Sequence, residues 1–216
     1  MSNEQRREKG GSICRPEPLN VREFKRELVD VAPQLRAFAR GLCGSADWAD
    51  DLAQDTMLRA WEARERFAAG TNFKAWTFTI LRNHFYSETR RNKFKGVYDE
   101  AVVEDILKAP PSQYDALDLG DVLRALQAIP SKYREALMLV AGAGLPYDEV
   151  AQICGIAVGT VKSRVSRARG KLAEYIDEGR LPKPRREFTL NGSAIDTFFS
   201  ELRKVANSDN WIARAA

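Results

Sequence analysis

The cationic side chains of this sequence gather where they could meet a polyanion. Lys162, Arg164, Arg167, Arg169 and Lys171 succeed one another in TVKSRVSRARGKL with no acid before Glu174, a pattern suited to a phosphate-lined groove. A second basic group, Lys74, Arg82, Arg90, Arg91, Lys93 and Lys95, is interleaved with Trp76, Tyr86 and Phe94. Cations can hold phosphates there and aromatic faces can support unstacked bases, although aromatics at helical spacing also build cores. Asp47, Asp50, Asp51 and Asp55 raise the question of a metal. Asp51 and Asp55 share a helix face, yet no histidine or second carboxylate helix joins them. His84 is the only histidine, with no Ser/His/Asp or paired-cysteine constellation around it. Cys14, Cys43 and Cys154 are odd in number and far apart, neither a disulfide framework nor a zinc pattern. Cys43 and Cys154 read as small core residues. The chemistry implied is recognition, with no catalytic residue, metal or cofactor expected.

The strongest positioning element is the stretch Pro146 to Ile176. Tyr147–Cys154 is a short amphipathic helix with Val150, Ala151 and Ile153 on its apolar face. Gly155 can take the positive φ of a sharp turn. Ala151, four residues earlier, lets a second helix approach, and Val161, six residues later, locks it. This spacing predicts a helix-turn-helix whose second helix carries the Lys162–Lys171 cations.

Upstream, residues 1–18 form a polar tail. Phe24, Leu28, Val31, Leu35, Phe38, Ala39 and Leu42 then recur at helical spacing, with Pro33 expected to break or kink the run. Ser45 or Asp47 would cap a helix reaching about Phe67. At about 100° per residue, Leu52, Ala53, Met57, Ala60 and Trp61 face a core. Asp51, Asp55, Leu58 and Glu62 face outward, an acidic surface enclosing a leucine. Residues 68–72 read as a loop before a helix packed through Phe73, Trp76, Ile80, Leu81 and Phe85. Residues 96–117 form an acidic linker with Pro110-Pro111 and a brief helix at Val102–Leu107. Val122, Leu123, Leu126, Ile129, Tyr133, Leu137, Met138 and Val140 lead into the helix-turn-helix and complete a four-helix domain. After a basic, proline-containing tether, Ile195, Phe198, Phe199, Leu202 and Val205 fit one helical face behind a capping box of Ser193 and Asp196. So short a helix needs a surface to dock on.

The fold class expected is all-α, two small helical domains joined by an acidic linker. The boundaries are residues 1–18 tail, 19–95 first domain, 96–117 linker, 118–178 helix-turn-helix domain and 179–216 helical extension. Hydrophobic residues make up 44% and charged residues 30% of the chain, with a net charge of +4, values of a soluble helical protein. No apolar run reaches the roughly 20 residues of a membrane span. The first eleven residues lack the apolar core of a secretory signal. Both point to a cytoplasmic protein.

The segments DDLAQDTMLRAWE (50–62), NFKAWTFTILRNHFYSETRR (72–91), IPSKYREALMLV (129–140) and GLPYDEVAQICGIAVGTVKSRVSRARGKL (144–172), in this order, resemble those of a bacterial RNA polymerase sigma factor of the two-domain extracytoplasmic-function type (group IV). Among these, LRNHFYSETRR and ICGIAVGTVKSRVSRAR look most like the alphaproteobacterial general-stress (EcfG-type) subgroup. The resemblance implies a region 2 domain that binds the β′ clamp helices of core polymerase through Asp51, Leu52, Gln54, Asp55, Leu58 and Trp61, with Leu52 and Trp61 supporting that surface from the core side. It implies that Gly70, Thr71 and Asn72 shape a pocket for a flipped base of the minus-10 element, while Lys74, Trp76, Arg82, Asn83, Arg90 and Arg91 engage that strand. It implies a region 4 domain, reached by the β flap, whose Lys162, Ser163, Ser166 and Arg167 read the minus-35 duplex in the major groove. Arg164 and Arg169 are assigned to phosphates. Such a subunit catalyses nothing and takes no small-molecule ligand. The resemblance also implies an anti-sigma factor that masks these surfaces.

Two other readings compete. A sigma mimic would bind an anti-sigma factor without binding promoters, but mimics carry a receiver domain, and no βαβ pattern follows residue 178. An ordinary helix-turn-helix regulator accounts for residues 146–176 but not for the 50–62 and 72–91 motifs.

Overall fold

The computed structural model describes residues 19–94, 119–177 and 197–202, all helix or connecting turn, with no strand among them. The first domain is built from α1 (Val21–Cys43), α2 (Ala46–Glu62), a 3-10 turn at Arg64–Arg66 and α3 (Phe73–Phe94). The second consists of α4 (Leu119–Ala128), α5 (Ser131–Leu137) running into a π-helical turn at Met138–Gly142, α6 (Tyr147–Cys154) and α7 (Val158–Asp177). Residues 197–202 form a further helix, α8. The 96–117 linker, its Val102–Leu107 helix, the N-terminal tail and the capping box at Ser193 lie outside the described residues.

Local signals explain the boundaries. The Asn20 side-chain oxygen accepts from the backbone N–H groups of Arg22 and Glu23 and starts α1. Gly44, in the left-handed region at φ 69°, ends it and donates its N–H to the Arg40 carbonyl, the glycine-specific helix stop. Pro33 does not break α1, which is continuous through it. The carbonyl that loses its donor belongs to Val29, which is 70% exposed, so water can satisfy it. The acidic helix is shorter than expected: α2 stops at Glu62, and Ser45 stands at its N-cap without a side-chain hydrogen bond.

In the first domain, Leu35, Phe38, Leu52, Phe78 and Leu81 are fully enclosed. Phe24 sits among Trp61, Phe67, Phe73 and Trp76 with ring centroids 5.1–6.4 Å apart. Each such side chain contributes about 1.5–3 kcal/mol on burial. In the second, Leu126, Ile129, Leu137, Val150, Val161 and Leu172 are buried. The two cores merge into one apolar cluster, because the second domain packs on α1 and α3 of the first.

Candidate nucleic-acid interface

Gly155 takes φ 66° at the end of α6, and the Ile156 N–H reaches back to the Ala151 carbonyl at 3.0 Å. The turn aims α7 so that Val161, Val165, Ala168 and Leu172 face the core. Helical periodicity then brings Lys162, Ser163, Ser166 and Arg167 to one exposed face. Two of these side chains are pre-positioned. Arg167 lies 5.9 Å from the Tyr133 ring centroid and donates to its hydroxyl at 3.3 Å. Lys162 lies 5.6 Å from the Tyr147 ring centroid. Stacked cations of this kind lose less freedom when they meet an anion. Arg164 and Arg169 are half-buried instead, and the Arg164 charge helps to hold down the pKa of the buried Glu135.

On α2, Asp51, Gln54, Asp55 and Leu58 are exposed, Leu58 by 56%, while Leu52 is buried and Trp61 half-buried. Two carboxylates of α2 are braced from behind, one of them on this face. Asp50 accepts from Arg40 at 3.0 Å. His84, buried on α3, places Nε2 3.1 Å from Asp55, so the lone histidine joins α2 to α3.

Around α3, Gly70 at φ 82° turns the loop and Thr71 Oγ1 donates to the Ala68 carbonyl. Asn72 caps α3 by accepting from the Ala75 N–H at 3.1 Å. Gly70, Thr71, Asn83, Arg90 and Arg91 are exposed, whereas Lys74 is half-buried and burial lowers its pKa. Trp76 lies within the Phe24 aromatic group and is half-buried there.

Two residues of this set are held by the second domain. The Asn72 amide donates to Glu149 of α6 at 2.6 Å. Arg82 Nε donates to Glu135 of α5 at 2.7 Å, and Tyr86 donates to the other oxygen of that carboxylate at 3.2 Å. Burial pushes the Glu135 carboxyl above the usual range, opposed by Arg82, Tyr86 and Arg164. Nearby, burial followed by the Glu135 charge pushes the Cys154 thiol up to about 11.

A second set of contacts closes on the C-terminal end of α1, where carbonyls lack helical partners. Gln127 donates to the Gly41 carbonyl at 2.8 Å, and Arg134 donates to the Leu42 carbonyl at 3.2 Å, a favourable place for a cation. Glu135, Glu149, Gln127 and Arg134 were not singled out by sequence reasoning. Arg134 and Glu135 left a trace there, as charges inside the otherwise apolar run of residues 133–140.

The family model for Sigma-70 region 2 matches residues 28–95, and that for Sigma-70, region 4 matches residues 119–172. The chain belongs to the extracytoplasmic-function RNA polymerase sigma factors. It is similar to the ECF RNA polymerase sigma factor EcfG of Rhodopseudomonas palustris, with 44% identity over 70% of this chain and 84% of that one. It is also similar to the ECF RNA polymerase sigma factor SigC of Mycobacterium tuberculosis, with 35% identity over 57% and 68%. Among solved structures it resembles the sigma factor RpoE of Bartonella quintana, crystallised in complex with the anti-sigma factor NepR. That match has a TM-score of 0.62 and 44% identity over 73% of this chain and 98% of that one. The two-domain all-α architecture and the EcfG-type likeness expected from the motifs therefore hold. Among the described residues no helix is long and apolar enough to cross a membrane.

Proposed function

We propose that this sigma factor binds core polymerase through the exposed α2 face, engages the minus-10 strand through the 70–72 loop and α3, and reads the minus-35 duplex with α7. Region 2 would span residues 19–95 and region 4 residues 118–178. The observation that carries this reading is the single exposed face of Lys162, Ser163, Ser166 and Arg167 presented by the Gly155 turn, with cations already stacked on Tyr147 and Tyr133. On α2, Asp51, Gln54, Asp55 and Leu58 would touch the β′ clamp helices, with Leu52 beneath them and Trp61 at the edge. Asn83, Arg90 and Arg91 are accessible to a strand, whereas the Asn72 amide and the Arg82 guanidinium are engaged by Glu149 and Glu135 until region 4 leaves α3. Arg164 and Arg169 would contact phosphates from the margins of the α7 face.

The protein would act in the cytoplasm as a specificity subunit without enzymatic activity of its own, in a stress regulon, and an anti-sigma factor would restrain it. Run-off transcription tests this reading. Purified chain plus core polymerase should initiate from a promoter with a GGAA-type upstream motif, and neither should do so alone. Absence of core binding in a pull-down would favour a simple helix-turn-helix regulator.

A further inference from the structure

The apolar face of the C-terminal extension has found its surface on the chain itself. Phe198, Phe199 and Leu202 are 2%, 0% and 0% exposed, while Thr197 and Ser200 face solvent. The two rings meet edge to face with centroids 5.3 Å apart. A helix this short has no stability of its own, so the groove that encloses these three side chains holds it in place.

The floor of that groove is specific. The Phe198 ring lies directly on Gly142, where any β-carbon would overlap it. Gly142 closes the π-helical turn Met138–Gly142. At the other end of the same five residues, Met138 fills the space beside Gly41 of α1, where a β-carbon would again overlap. One irregular turn thus presents a glycine to the extension on one side and a methionine to region 2 on the other. Insertions of this kind into a helix often mark functional joints.

We infer that the π-helical turn forms a docking groove for a short helix with a Phe-Phe-x-x-Leu face, that residues 197–202 occupy it in cis, and that this occupancy holds region 4 against region 2. The consequence rests on the sigma-factor reading. With the extension docked, Glu149 and Glu135 retain Asn72 and Arg82, and these two groups are withheld from the minus-10 strand. Undocking frees the joint and lets the two regions separate to the spacing of a promoter. The extension then acts as a restraint that core binding must release.

The test uses the full-length chain in three variants, with the radius of gyration from small-angle scattering and the affinity for core polymerase as separate readouts. Phe198→Ala combined with Phe199→Ala removes the occupant, and Gly142→Ala displaces it while leaving its sequence intact. Ser200→Ala alters only an exposed position. The first two should expand the particle and raise core affinity about threefold or more, and the third should match the parent. A melting curve monitored by circular dichroism checks that each variant is folded. Because the Phe pair lies outside both sigma-70 regions, its loss leaves every residue of the two regions in place even if Gly142→Ala does not fold. If the Phe variant keeps the parental radius and affinity, the inference is overturned. If it expands but no form, parent included, binds core, docking stands and the sigma-factor reading fails instead.

Discussion

Arg82 of α3 and Glu135 of α5 lie 2.7 Å apart across the contact between the two regions, with the Glu135 side chain 1% exposed and that of Arg82 20% exposed. A residue assigned to the minus-10 strand is thus neutralised by a carboxylate of the region that reads the minus-35 element. Both cannot serve at once: the carboxylate occupies the guanidinium that a DNA phosphate would require.

Removing one partner has unequal consequences for the two states. Arg82→Ala leaves the buried carboxylate with the Tyr86 hydroxyl as its hydrogen-bond donor and without its ion-pair partner, a loss of up to about 3–5 kcal/mol where the site cannot relax. Separation of the regions relieves part of that cost. Glu135→Gln keeps a hydrogen-bonding group but removes the charge that retains Arg82. It should raise affinity for a single-stranded minus-10 oligonucleotide severalfold in fluorescence anisotropy, whereas Arg82→Ala should lower it. Equal behaviour of the two variants would mean that Arg82 takes no part in strand binding.

Much of each region was legible because its signals are local. The limits of α6, the left-handed Gly155 and the buried Val150, Ala151 and Val161 all follow from short-range periodicity and backbone chemistry. So does the outward face of Asp51, Asp55, Leu58 and Glu62. The contact between regions was not legible, since Gln127 caps α1 from more than eighty positions away and no periodicity encodes such a pairing. At Pro33 the expected break is absent for the opposite reason. The exposed Val29 carbonyl lets the helix tolerate proline there. Phe78 and the buried Thr77 and His84 were missed because α3 packs on two sides. Its apolar stripe is broad, and the cations that point to nucleic acid interrupt it.

The exposed α7 face makes a separable prediction. Lys162→Ala and Arg167→Ala should each weaken binding to a duplex minus-35 fragment by about 1–3 kcal/mol if they contact bases, with little change in core affinity. Arg167→Lys should recover only part of the loss, because an ammonium cannot reproduce the planar fork stacked on Tyr133. A parallel fall in core binding, measured in the same preparations, would point to misfolding or to a wrong assignment of the face.

Cys154 offers a reporter of region separation that needs no introduced residue. Burial, reinforced by Glu135, places its thiol near 11, above the usual value of about 8.5. A folded pKa above the unfolded one favours the closed form below the ordinary thiol range, and that advantage is lost as pH rises towards 11. Only the thiolate is alkylated, so the iodoacetamide rate at Cys154, followed by peptide mass mapping, should climb about tenfold per pH unit from pH 8 without a plateau before about 11. Gln127→Ala removes a cap on α1 far in sequence from the thiol and should loosen the contact. Its profile should level off at lower pH and its rate at pH 8 should rise severalfold or more. A parental profile that levels off near 8.5 would show that Cys154 does not sit in the closed contact, and with it the covering of Arg82 would be lost.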